Sequence, residues 1–142
     1  MKPNYRKKYQ ASAISQWNRI EMLLALYNGV IEKLNDTRNA VERGDRAAEV
    51  NSKARAATIL TAIESGLDDT QAAEITSRVR QLCEYVRQCM LDGDQGSLAS
   101  AILVLSNLRD GFEGIREEAT QMEQSGEIPP LEPTNIVDRC VG

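Results

Sequence analysis

The chain has 142 residues and a mass of 15.7 kDa, with 42% apolar, 27% charged and 4% aromatic residues and a formal net charge of −4. That length makes one domain, able to bury roughly 68–70% of its unfolded surface, in a core built from Leu, Ile, Val, Met and Ala because aromatic rings are scarce. Histidine is absent, which excludes Ser-His-Asp hydrolysis, Cys-His proteolysis, His-ligated zinc, Glu-x-x-His di-iron sites and His phosphotransfer, and the acidic balance argues against a nucleic-acid binder.

The first ten residues are polar and basic without an apolar h-region, so no secretory signal is expected. The basic arm of Lys2, Arg6, Lys7 and Lys8 has Tyr5 and Tyr9 between its charges. On an otherwise acidic chain it reads as a solvated terminus, and no nucleic-acid partner is expected. Residues 1–17 lack a clean helical stripe, yet they hold Tyr5, Tyr9, Ile14 and Trp17. Aromatic residues at this density are odd in a disordered leader, so this segment is expected to fold back onto the rest as a cap.

Prolines stand only at positions 3, 129, 130 and 133, leaving the interior free of the strongest helix breaker. Glycines punctuate it instead, at Gly44, Gly66 and Gly93–Gly96. The first segment, 18–43, carries Ile20, Leu23, Leu24, Tyr27, Val30, Ile31, Leu34 and Val41 at helical spacing. Asn18 and Glu21 make a capping signature at its start, and Gly44 a left-handed stop at its end. At ~1.5 Å per residue this is a rod of roughly 39 Å.

The second helix, 46–65, is Ala-rich, with Ala47, Val50, Ala54, Ala57, Leu60 and Ile63 on its stripe. So little bulk lets a neighbour approach closely. The third, 70–91, places Ile75, Val79, Leu82, Val86 and Met90 on one face, with Cys83 and Cys89 at its edges. Free cysteines of this kind are small residues in or beside a helical core. The fourth, 95–125, uses Leu98, Ile102, Leu105, Leu108, Phe112, Ile115, Ala119 and Met122.

Four amphipathic helices with short connections predict an all-α, antiparallel up-down-up-down four-helix bundle over 18–125, with 1–17 as its N-terminal cap. The tail, 126–142, contains Ile128-Pro129-Pro130-Leu131 and cannot continue the helix. The three cysteines, Cys83, Cys89 and Cys140, form no Cys-x-x-Cys and no disulfide framework, which points to the cytoplasm. The longest apolar run, 22–27, is far shorter than the ~20 residues that span a bilayer, so no membrane insertion is expected.

Chemistry is sparse. The adjacent acids Asp68-Asp69 and Glu117-Glu118 are solvated or helix-start charges. Gly93-Asp94-Gln95-Gly96 lacks the Lys and Ser/Thr of a phosphate loop. No enzyme, metal site or cofactor is expected. More informative is a second apolar set on the first helix, Met22, Ala25, Leu26 and Gly29, beside the main stripe; Leu103 and Val104 form a similar surplus on the fourth. Periodicity leaves two covers open: the N-terminal segment, or an amphipathic partner helix docking in a groove.

Tyr9-Gln10, followed by Glu21-Met22-Leu23-Leu24-Ala25-Leu26-Tyr27-Asn28-Gly29-Val30-Ile31, resembles the flagellar export chaperones called FliS, whose signature is Leu-Tyr-(Asp/Asn)-Gly in the first helix. Ile59-Leu60 is similar to the family's paired aliphatics in the second helix. Leu82-Cys83-Glu84-Tyr85 resembles its Leu-Tyr-Asp-Tyr in the third, and Leu108-Arg109-Asp110-Gly111-Phe112 its Leu-Arg-Asp-x-Trp in the fourth. The matches are collinear over about 5–118. In place of the family's Ser/Thr-Pro before the first helix stands Asn18-Arg19; Cys83 replaces a Tyr and Phe112 a Trp.

The resemblance implies a cytoplasmic, non-enzymatic chaperone that binds the disordered C-terminal region of flagellin, keeps it from polymerising, and delivers it to a component of the flagellar export gate by type III export. Cargo would bind a groove drawn from Ile20, Met22, Leu23, Leu26, Tyr27, Ile31, Tyr85 and Phe112, with core and groove not apportioned among the first-helix residues. Tyr5, Tyr9, Ile14 and Trp17 would cap that groove, and Arg109 and Asp110 would make a polar contact. The alternative is a helical-bundle adaptor whose surplus stripe is buried in a self-interface, as in a homodimer.

Overall fold

The computed structural model describes residues 19–67 and 73–126, and over these the chain is helical with no strand. Helix α1 spans Arg19–Arg43, α2 Arg46–Ser65, α3 Ala73–Asp92, α4 Gln95–Gly114 and α5 Arg116–Gln124. The helices pack antiparallel, each of the first four against the next, and α1 closes the ring against α4. The expected cap, 1–17, with Tyr5, Tyr9, Ile14 and Trp17, lies outside the described residues, as do Asn18 and the tail from residue 127 with Cys140.

The two connections at one end of the bundle are built alike. Gly44 and Gly93 take φ of +71° and +69°, the left-handed conformation that lets a helix stop without a Cβ clash. Each is followed by an aspartate that starts the next helix. Asp45 Oδ1 accepts from the Ala48 N–H at 3.1 Å, and Asp94 Oδ1 from the Ser97 N–H at 2.6 Å. The Ser97 bond holds the Asp94 carboxyl below the usual carboxylate range.

The core row of α1 is Ile20, Leu24, Tyr27, Val30, Leu34, Thr37 and Ala40, in steps of four and three. Facing it, α2 buries Ser52, Ala56, Leu60, Ala62 and Ile63. This row is rotated from the stripe expected of the sequence, and Val50 is left 54% exposed. The reason is a buried hydroxyl pair: Thr37 Oγ1 and Ser52 Oγ sit 2.7 Å apart, and each also lies within hydrogen-bond reach of a carbonyl one turn back in its own helix. Two polar groups satisfied in this way are buried without an unpaired atom.

A similar rotation occurs in α3. Thr76, Val79, Cys83, Val86, Cys89 and Met90 face the core, while Ile75 is 62% exposed. Cys83 is central rather than marginal, because a thiol packs as a small apolar group. The fourth amphipathic segment is not one rod. It stops at Gly114 and resumes after Ile115, whose φ of −107° and ψ of 9° leave the helical region. A glycine at the last position of α4 weakens the helix there, and the chain turns.

Cross-links at the two ends complete the frame. Arg38 Nε donates to Gln95 Oε1 at 3.0 Å and Gln95 Nε2 returns a bond to the Arg38 carbonyl at 2.9 Å, tying α1 to the start of α4. Arg87 on α3 pairs with Glu64 and donates to Thr61 Oγ1, both on α2. No helix among the described residues is long and apolar enough to cross a membrane.

Candidate functional site

The four sequence motifs converge in space around Tyr27. Its ring stacks on Phe112, with centroids 5.6 Å apart and 22° between planes. The next residue, Asn28, accepts through Oδ1 from Arg109 Nη1 at 3.3 Å. Gly29 faces α2, where a Cβ would stand 3.4 Å from Ile59 Cδ1. On the far side Cys83 is near enough to raise the Tyr27 phenol electrostatically. Burial is the larger cause of that rise. Cys83 itself is pushed up to about 11, chiefly by burial and then by Glu64, against the opposing guanidiniums of Arg87 and Arg80.

Tyr27 is fully buried, and its hydroxyl has no hydrogen-bond partner among the described residues. It therefore stands behind the surface, supporting Phe112, rather than on it. Ile31 is half-buried and packs against the core one turn further along α1.

Five of the expected groove residues do come together. Ile20, Met22, Leu23 and Leu26 of α1 and Phe112 of α4 line an apolar cleft of about 250 Å³ at the end of the bundle opposite the Gly-Asp turns. Its second wall is the end of α2, through Ala62, Ile63 and Leu67. Ile115 and Ala119, at and beyond the break, form the third. Sequence periodicity placed Ile63, Ile115 and Ala119 on core rows, and no spacing could show that the break turns the last two toward the start of α1. Tyr85 is not in this cleft. It is 46% exposed on α3.

Met22 and Leu26, the surplus stripe of the first helix, are half-buried along the cleft. Arg109 and Asp110 form a surface pair, with Nε and Nη2 each 3.2 Å from Asp110 Oδ1. A separate recess of about 310 Å³ between α1 and α2 is hydrophilic, walled by Lys33, Asp36, Arg43, Asn51 and Arg55, and suits no apolar helix. Among the described residues no three His, Cys, Asp or Glu side chains group as a metal site.

The cleft is thus an apolar slot at one end of the bundle, a shape of the kind in which an amphipathic helix can seat its apolar face. The family model for the flagellar protein FliS matches residues 1–119, from the N-terminal segment through the last residue of the cleft. None of the curated proteins compared with the chain matches it. The chain belongs to the FliS family, whose members are cytoplasmic, non-enzymatic chaperones of flagellin export.

Proposed function

We propose that the cleft between α1, α2 and the α4–α5 corner receives an amphipathic helix from the C-terminal region of flagellin. The observation that carries this reading is the apolar lining contributed by Met22, Leu23, Leu26 and Phe112, set over the stacked Tyr27. A cleft of this size takes two or three large side chains, spaced as anchors on one helical face. Arg19, the first residue of α1, is itself on the cleft wall, which supports a reading in which the N-terminal segment competes for the same apolar surface. Tyr85, exposed on α3, supplies a second contact to cargo that wraps the bundle, and Arg109 with Asp110 a polar one. The loaded chaperone then meets the flagellar export gate.

The mechanism is coupled folding and binding. Ordering a disordered cargo costs ~2–5 kcal/mol or more, offset by burial of roughly 1,000–3,000 Å². The surplus is moderate, which suits a cargo that must be released.

Calorimetric titration with the C-terminal segment of flagellin tests the proposal. One-to-one binding with a negative heat-capacity change is the expected result. Leu26→Asp places a carboxylate in the apolar lining and weakens that binding by about 10- to 100-fold with helicity retained. Silence of the wild-type protein toward a soluble segment overturns the reading. Leu103, 62% exposed on α4, favours a second reading, a homodimer with that face buried. Mass that rises with concentration supports it.

A further inference from the structure

Helix α5 differs from the other four in burying none of its residues. It is held to α1 by polar contacts at both of its ends. At the first, Arg116 Nη2 donates to Glu21 Oε1 at 3.2 Å. At the other, Glu123 Oε2 accepts the backbone N–H of Arg19 at 2.9 Å. The opening amides of a helix have no partner within it, and a carboxylate beside them is also favoured by the helix dipole. Glu123 thus caps α1 from another helix, 104 residues away in sequence.

Between these contacts lies the apolar side of α5. Ile115 and Ala119 line the cleft, while Ile115 is 47% and Met122 36% exposed. The corner that joins α5 to α4 is lightly built. Ile115 serves as the end of one helix and the start of the next, and no side-chain hydrogen bond caps α5. A Cβ at Gly111 or Gly114 would meet nothing within 4 Å, and the side-chain link across the break is the surface pair of Arg116 Nη1 with Glu113 Oε1 at 3.2 Å. A wall fastened by surface polar contacts, with little buried apolar area, sits at the low end of local stability.

We propose that α5 is a latched wall of the cleft. It swings out at Ile115 when a cargo helix enters, exposing more of Phe112 and the first turns of α1, and Glu123 is the positioning residue that closes it. This rests on the cleft being the cargo site. The closed form is the one with the smaller cleft, so apparent affinity is reduced by the fraction of molecules that are closed.

Hydrogen exchange on the full chain, without cargo, tests the latch by itself. In Glu123→Ala combined with Arg116→Ala, amides of 120–124 exchange at least about tenfold faster, and those of the core of α1 and α4 keep their wild-type rates. Glu123→Gln, which retains an acceptor for the Arg19 amide, falls between. The double variant also binds the flagellin C-terminal segment severalfold more tightly. Unchanged exchange in α5 overturns the latch, and so does faster exchange with weaker binding, which would make α5 a fixed wall. A segment that binds neither protein counts against the cleft as cargo site, while exchange still decides whether α5 is latched.

Discussion

Tyr27 brings two separable features to the core: a hydroxyl with no hydrogen-bond partner among the described residues, and a ring that stacks on Phe112. Removing only the oxygen separates them. Tyr27→Phe keeps the stack and relieves an unpaired buried polar atom, so urea unfolding should show stability unchanged or raised by about 1 kcal/mol. Tyr27→Ala would instead open a cavity and cost about 3–5 kcal/mol, which makes it a poor probe of cargo contact. Cys83, beside it, reports on pH. Unfolding returns the thiol from about 11 to its ordinary value near 9. Between those values the unfolded chain has released a proton that the folded chain keeps, so stability falls as pH rises through this window. Urea midpoints at about pH 8 and pH 10.5 should show the loss, reduced in Cys83→Ala, where the raised Tyr27 phenol still contributes.

The α1–α2 pair depends on small residues at the contact. Gly29 meets Ile59, and Ala56 is fully buried opposite the α1 row. Gly29→Leu would extend its side chain from a Cβ already in contact with Ile59 and crowd the α1–α2 contact, so a cost of about 1–3 kcal/mol is expected from thermal or urea unfolding. Gly29→Ala, whose Cβ would make ordinary contact with Ile59, should stabilise by about 0.5–1 kcal/mol, the helix-interior preference for alanine over glycine. The contrast shows whether helix approach, rather than backbone freedom, is what this glycine provides. The signature Leu26-Tyr27-Asn28-Gly29 therefore acts through three directions of one helix turn: Leu26 to the cleft, Tyr27 to the core and Gly29 to α2.

Across the whole molecule, the polar Gly-Asp turns occupy one end of the bundle and the apolar cleft the other, where the chain enters α1 and leaves α5. Arg19, where the described chain begins, is on the cleft wall. If 1–16 competes with cargo, its deletion should raise affinity for the flagellin C-terminal segment in calorimetry, since the closed fraction is removed. A loss of affinity would show that the segment contributes contacts of its own. The same geometry separates Tyr85 from the cleft, so Tyr85→Ala should weaken binding only of a segment long enough to reach α3.

The first three helices, the Gly44 and Gly93 stops and most of the core of α1 and α4 were legible in the sequence, because glycine conformation and apolar spacing act locally along the chain, whereas the break at Ile115 that divides the expected fourth helix into α4 and α5 was not. The family was legible too, since its motifs are ordered tetrads. Local pattern could not place the faces of α2 and α3. Ser52, Thr76 and Cys83 look marginal by hydropathy and are buried, the first because Thr37 lies opposite its hydroxyl, a pairing that exists only after the helices meet. Nor could it divide the candidate groove. Tyr27 and Ile20 share one stripe of α1 and are both buried, yet only Ile20 also lines the cleft, beside Leu26 of the neighbouring stripe, according to where α4 and the α5 break lie against them. A stripe wider than one neighbour can be read from sequence; which part of it stays open is decided by the packing of the other helices.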